Sequence, residues 1–202
     1  ILDVMDGLAA RLLNATSPFG AEFDSMADLV SFGVAPAIVM MYAVMQIASI
    51  EKYSSEFWAL SISVSAFVLA GALRLARYNI TNEKPIKGWF SGLPITGAGA
   101  GLTATAIILI VRYQDQLNTD QLTLLVPGFM FFLSLCMVST FKFPKMAKRD
   151  GIYINSFQAL NFIVSCYCAV TKSYPEFLFF MGIFLLITGT VAGFFVRTTQ
   201  TE

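Results

Sequence analysis

Four aspartates near the start of the chain, Asp3, Asp6, Asp24 and Asp28, sit in or beside apolar stretches. On a helix, Asp3 and Asp6 (i, i+3) share one face, and so do Asp24 and Asp28 (i, i+4). The intervening Asn14-Ala15-Thr16-Ser17-Pro18-Phe19-Gly20 is made of turn residues, with Pro18 and Gly20 as breakers. A tight connection there lays two helices antiparallel and gathers both carboxylate pairs near one membrane surface. Such carboxylates repel each other, and an aspartate within a span costs ~2.5–3.5 kcal/mol on insertion scales. Hard divalent cations offset this, because oxygen donors without imidazole or thiolate suit Mg²⁺, Mn²⁺ or Ca²⁺ rather than zinc. A pair of such ions would neutralise the aspartates and leave a site ready for a diphosphate. Asp24, placed before an apolar run, also suits a helix N-cap. Histidine is absent, which excludes Ser-His-Asp and Cys-His triads, His metal sites and phosphohistidine chemistry. Cys136, Cys166 and Cys168 lie inside apolar runs and read as small packing residues.

The elements that hold these aspartates must be membrane helices. Of 202 residues, 56% are apolar and only 13% charged. A soluble domain carries about 25% charged residues, so a soluble enzyme or a disordered chain is excluded. The 13 Lys and Arg cancel the 13 Asp and Glu, so nothing points to nucleic acid. A span needs about 20 apolar residues. Runs at 29–49, 57–75, 93–111, 122–141, 152–170 and 177–196 reach or approach that length, and 1–13 reads as the tail of another helix. The fold expected is an all-α polytopic transmembrane bundle with about seven spans present, the first partial. About eight are expected in the full-length protein, its N-terminal helix lying upstream of Ile1. Residues 1–202 read as one domain, without linker or low-complexity tract. Alternating spans place ten of the 13 Lys and Arg on the aspartate side, leaving only Lys52, Arg112 and Lys172 opposite. By the positive-inside rule the aspartates then face the cytoplasm.

The spacing D-x2-D-G-x2-A-R-x8-G-x3-D-x3-D is met at Asp3, Asp6, Gly7, Ala10, Arg11, Gly20, Asp24 and Asp28. In this it resembles the CDP-alcohol phosphatidyltransferase family. The resemblance implies a helical membrane enzyme with a dinuclear Mg²⁺ or Mn²⁺ site (Ca²⁺ as a non-productive occupant) and a CDP-linked substrate. It implies that Asp3, Asp6 and Asp24 are principally metal ligands. It implies that Asp28 is a fourth ligand and the general base. Asp3, Gly7, Ala10, Arg11 and Gly20 then line the nucleotide and diphosphate. Glycines allow close backbone approach, and an arginine can hold phosphate oxygens bidentately.

The run Phe19 to Ala37, with Leu73-Arg74-Leu75-Ala76-Arg77-Tyr78-Asn79 and Phe90-Ser91-Gly92-Leu93-Pro94-Ile95, is similar to the phosphatidylserine synthase branch. That branch implies CDP-diacylglycerol and L-serine as substrates and phosphatidylserine and CMP as products. Another alcohol acceptor, or an archaeal-type lipid donor, is the alternative within the fold. A cation transporter using the aspartates is the alternative outside it. Arg74 and Arg77 share a helix face and are candidates for the serine carboxylate or the lipid-linked phosphate, beside a role as topology anchors. Lys142, Lys145, Lys148 and Arg149 read as a loop anchor attracting anionic lipid headgroups. Gly97, Gly99 and Gly101 predict a small-residue face for close packing or a homodimer contact. The expected setting is the cytoplasmic membrane.

Overall fold

The computed structural model describes residues 17–80, 89–144, 152–171 and 174–198. Helix α1 (Pro18–Asp28) begins where Ser17 Oγ accepts the Gly20 N–H at 3.0 Å, with Pro18 in the first turn. Both are standard helix starters, one satisfying an orphan donor and the other lacking a donor to satisfy. The breakers of the turn are therefore built into the helix start. A π-helical stretch (Leu29–Val34) follows without interruption and runs into α2 (Ala35–Ile47). Pro18–Ile47 is thus one apolar helix of 30 residues, and the span expected at 29–49 starts earlier and includes Asp24 and Asp28.

Helix α3 (Ser55–Ile80) returns to the aspartate end. A second π-helical stretch (Gly97–Thr103) and α4 (Ala104–Arg112) run outward again. Helix α5 (Thr119–Val138), capped by the Asn118 side chain, comes back and keeps Pro127 within it. Helices α6 (Ile152–Thr171) and α7 (Pro175–Thr198) complete the described chain. Helices therefore stand close to where the apolar runs predict them. By length and apolarity, Pro18–Ile47, Ser55–Ile80 and Thr119–Val138 are each able to cross a membrane, whereas Gly97–Arg112 is shorter.

The all-α expectation needs one addition. Strands β1 (Trp89–Ser91) and β2 (Lys142–Pro144) pair antiparallel, with Phe90 opposite Phe143. Residues just beyond α5 thereby reach those just before the second π-helical stretch, and backbone pairing satisfies groups that a helix end would leave open.

The core lies where α2, α3, α5 and the second π-helical stretch meet, around the fully buried Phe67, Met40, Leu60, Met130 and Leu133. The outward faces are apolar as well: Leu69, Leu124 and Phe180 are each more than 60% exposed. Such a surface suits lipid rather than water. The described chain is a helical membrane-embedded protein.

The two π-helical stretches touch each other. A Cβ on Gly99 would overlap the Phe32 carbonyl oxygen, so only glycine permits this approach. Gly101, two residues on, has no atom within 4 Å of such a Cβ. The glycine face expected for close packing resolves into one intramolecular crossing at Gly99.

Candidate active site

Asp28 ends α1, and Asp24 lies one turn earlier on the same face; Asp24 is exposed and Asp28 half-buried. Asp28 leads directly into the π-helical stretch held by Gly99, so the crossing fixes the height of both carboxylates. The last turn of α3 is fastened to α1 from the side. Asn79 Nδ2 donates to Glu22 Oε2 at 3.0 Å and to Ser25 Oγ at 3.2 Å. Glu22 and Ser25 are i, i+3 neighbours, so one amide spans both.

Arg74 lies on the same helix, five residues before the clasp. Arg74 is buried (8% exposed), and the Asp28 carboxylate is within electrostatic reach of its guanidinium. Among the described residues no acceptor meets its Nε. A buried donor without a partner carries a desolvation cost of about 1–3 kcal/mol. A polar or anionic ligand entering here would remove that cost.

Arg77 is placed differently. Its Nη1 donates to the Val138 carbonyl at 2.8 Å and its Nη2 to the Ser139 carbonyl at 3.1 Å. These are terminal carbonyls of α5, where positive charge also complements the helix dipole. Gly92 packs into the same junction with φ +76°, where a Cβ would crowd the Met137 and Ser139 carbonyls and Arg77 Nη2. The backbone N–H groups of Gly92 and Leu93 donate to Phe141 and Cys136 carbonyls at 2.8 and 3.1 Å. The Leu-Ala-Arg-Tyr-Asn and Ser-Gly-Leu-Pro segments, far apart in sequence, therefore meet at one end of the bundle.

Asp3, Asp6, Gly7, Ala10 and Arg11 lie outside the described residues. Gly20 sits in the first turn of α1, where a Cβ would meet only the Ser17 Oγ, at 3.2 Å, among the described residues. Packing alone makes a mild demand for glycine there. Asp24 and Asp28 supply oxygen donors on one face, in a chain without histidine. That donor chemistry fits a hard divalent cation. Among the described residues no group of three acidic, Cys or His side chains is complete. The expected donor set requires Asp3 and Asp6 as well.

The parts that sequence reasoning left without a role are the Asn79 clasp and the Arg77 cap. A weak signal existed for the first: Glu22 and Ser25 are polar positions three residues apart on the helix that carries Asp24 and Asp28.

Comparison with known proteins agrees with this arrangement. The CDP-alcohol phosphatidyltransferase family profile matches residues 1–139, from the first aspartate pair through the C-terminal end of α5. The CDP-diacylglycerol–serine O-phosphatidyltransferase of Helicobacter pylori strain J99 is 41% identical over 150 residues, 73% of this chain and 58% of the relative. The protein of that name from Methanocaldococcus jannaschii is 34% identical over 191 residues, covering 95% of this chain and 78% of the relative. That from Bacillus subtilis is 38% identical over 155 residues, covering 77% and 75%. Because the family match takes in the aspartates, the Arg74 end of α3 and the junction at Gly92 together, this chain belongs to the CDP-alcohol phosphatidyltransferase family.

Proposed function

We propose that this chain transfers a phosphatidyl group from CDP-diacylglycerol to the hydroxyl of L-serine, forming phosphatidylserine and CMP. The carrying observation is that, at one end of the bundle, Asp28, one turn after Asp24 on the same face, lies within electrostatic reach of the buried Arg74 guanidinium. The shared name of relatives from Helicobacter, Methanocaldococcus and Bacillus supports serine as acceptor. The match spans only 58% of the Helicobacter relative, so the activity of the whole protein rests on this reading.

In it, Asp3, Asp6 and Asp24, with Asp28, hold a pair of Mg²⁺ or Mn²⁺ ions. When bound, these supply positive charge at the diphosphate. Arg11 and the backbone at Gly7, Ala10 and Gly20 take the CDP moiety, glycine leaving room for its approach. Asp28 accepts the proton of the serine hydroxyl as its oxygen bonds to the phosphorus that carries diacylglycerol. The bond from that phosphorus to the bridging oxygen breaks, and CMP departs. Arg74 takes an anion beside the reacting centre, either the serine carboxylate or the lipid-linked phosphate. Arg77 holds the Gly92–Pro94 segment against α5 through the Val138 and Ser139 carbonyls.

The reading extends to about seven spans here, one domain over 1–202, a homodimer, and a cytoplasmic membrane with the aspartates facing the cytoplasm. The positive-inside distribution of Lys and Arg supports that orientation. The test is CMP release from CDP-diacylglycerol with serine, glycerol phosphate, inositol phosphate and choline offered in parallel. Serine alone should drive release. Faster release with any other acceptor refutes the serine assignment, and no release with any refutes the transferase.

A further inference from the structure

A chamber of about 460 Å³ lies between α2, α4, α5 and α7, remote from the aspartates. Met40, Ala106 and Val126 form its buried floor, and Leu125, 66% exposed, stands at its rim. Along α5 it runs from Gln121 to Phe129, about 12 Å at 1.5 Å per residue. Half of a ~30 Å hydrocarbon core is about 15 Å. The chamber is therefore nearly as deep as one leaflet, and it lies in the leaflet opposite Asp24 and Asp28.

Water is a poor occupant, because it needs two to four polar partners and only Tyr113 and Gln121, near the outer end, are polar. The volume is about three times the ~150 Å³ that admits one benzene, enough for the larger part of a hydrocarbon chain. At the outer end, Tyr113 Oη donates to Glu176 Oε1 at 2.6 Å, and Arg112 Nη1 stands 3.5 Å from the same oxygen. The bond to Glu176 raises the Tyr113 hydroxyl above the usual phenol range, so it stays protonated. Arg112 is 53% exposed, so its guanidinium stays accessible beside that contact.

We infer that this chamber holds one acyl chain of a phospholipid from the leaflet opposite the aspartates, with the lipid phosphate beside Arg112. The site needs only that the helices span a bilayer. It is independent of the transfer chemistry and lies at the ends of α4 and α5 opposite the aspartates.

The probe is a phosphatidylcholine whose acyl chain carries a diazirine, placed with the full chain in phosphatidylcholine nanodiscs and photolysed. Adducts should concentrate on Ala106, Leu109, Val126, Phe129 and Phe179 rather than on the outward Leu124 face. Ala106→Phe fills the floor, and Leu125→Trp narrows the mouth from an exposed position that folding tolerates. Each should lower chamber adducts about tenfold or more, a change equal to at least ~1.4 kcal/mol of binding, while Leu124→Trp leaves them unchanged. Arg112→Gln should shift adducts along the chamber by loosening the head group. Uniform labelling of all apolar faces, insensitivity to both filling variants, or cross-links between copies at Leu125 would overturn the assignment. Because no readout is turnover, its failure and failure of the transferase reading are distinguishable.

Discussion

Replacing Gly99 by alanine puts the smallest side chain at the tightest crossing in the described structure. The new Cβ would overlap the Phe32 carbonyl oxygen, a backbone atom that cannot rotate away. Relief requires the two π-helical stretches to separate. Over-packing of this kind costs about 1–3 kcal/mol, and a backbone obstacle puts Gly99→Ala near 3 kcal/mol. Gly101→Ala meets no atom within 4 Å, so lower unfolded-state entropy should make it neutral or stabilising by about 0.4–1 kcal/mol. Gly71→Ala lies between, because its Cβ meets the Ile95 Cδ1 at 2.8 Å, the end of a side chain that can turn. Two identical substitutions two residues apart should thus differ by about 3–4 kcal/mol. The activity readout is separate: separating the stretches displaces Asp28, and a ~1 Å misplacement can cost about a hundredfold in rate. Thermal unfolding in detergent and CMP release on the three variants give both numbers. A Gly99→Ala protein with wild-type melting and turnover would refute the reasoning, as would equal losses at Gly99 and Gly101.

Three further outcomes follow from the site. Chelation by EDTA should abolish CMP release and Mg²⁺ or Mn²⁺ should restore it; unchanged turnover in the fully chelated enzyme rules out the metal assignment. Asp28→Asn should slow turnover by about 10²–10⁴-fold, the range of a general base, while CDP-diacylglycerol binding survives; Asp6→Asn should weaken metal and nucleotide binding together. Arg77→Lys keeps charge but loses the fork that reaches the Val138 and Ser139 carbonyls. It should lower stability by about 1–2 kcal/mol, with membrane insertion unchanged; wild-type melting would contradict the cap.

The helices were legible because apolar runs of span length are a local property. α3, α5, α6 and α7 each start and stop within a few residues of the runs that predict them. The pairing of Asp24 with Asp28 was legible for the same reason. The π-helical stretches were not, since six or seven residues are too few for a period slightly longer than 3.6 to stand out. The capping role of Arg77 was hidden more deeply. From its position near a helix end it reads as an anion ligand, yet its partners lie 61 and 62 residues away. Nothing local announces a helix terminus that must arrive from elsewhere in the chain. The Tyr113–Glu176 bond, across 63 residues, was hidden in the same way.

The change of winding after Asp28 has a consequence for how this protein tolerates insertions and deletions. One residue removed between Leu29 and Val34 shortens the helix by at most about 1.5 Å, trivial against a ~30 Å membrane, yet rotates everything beyond it by somewhat less than the ~100° of an α-helical residue. Met40 and Val44, which face the core, would then point elsewhere if Asp24 and Asp28 kept their position. The stretch behaves as a phase adjuster between two faces of one rod, one selected for charge and the other for packing. Length is a free variable there, but parity with the catalytic end is not.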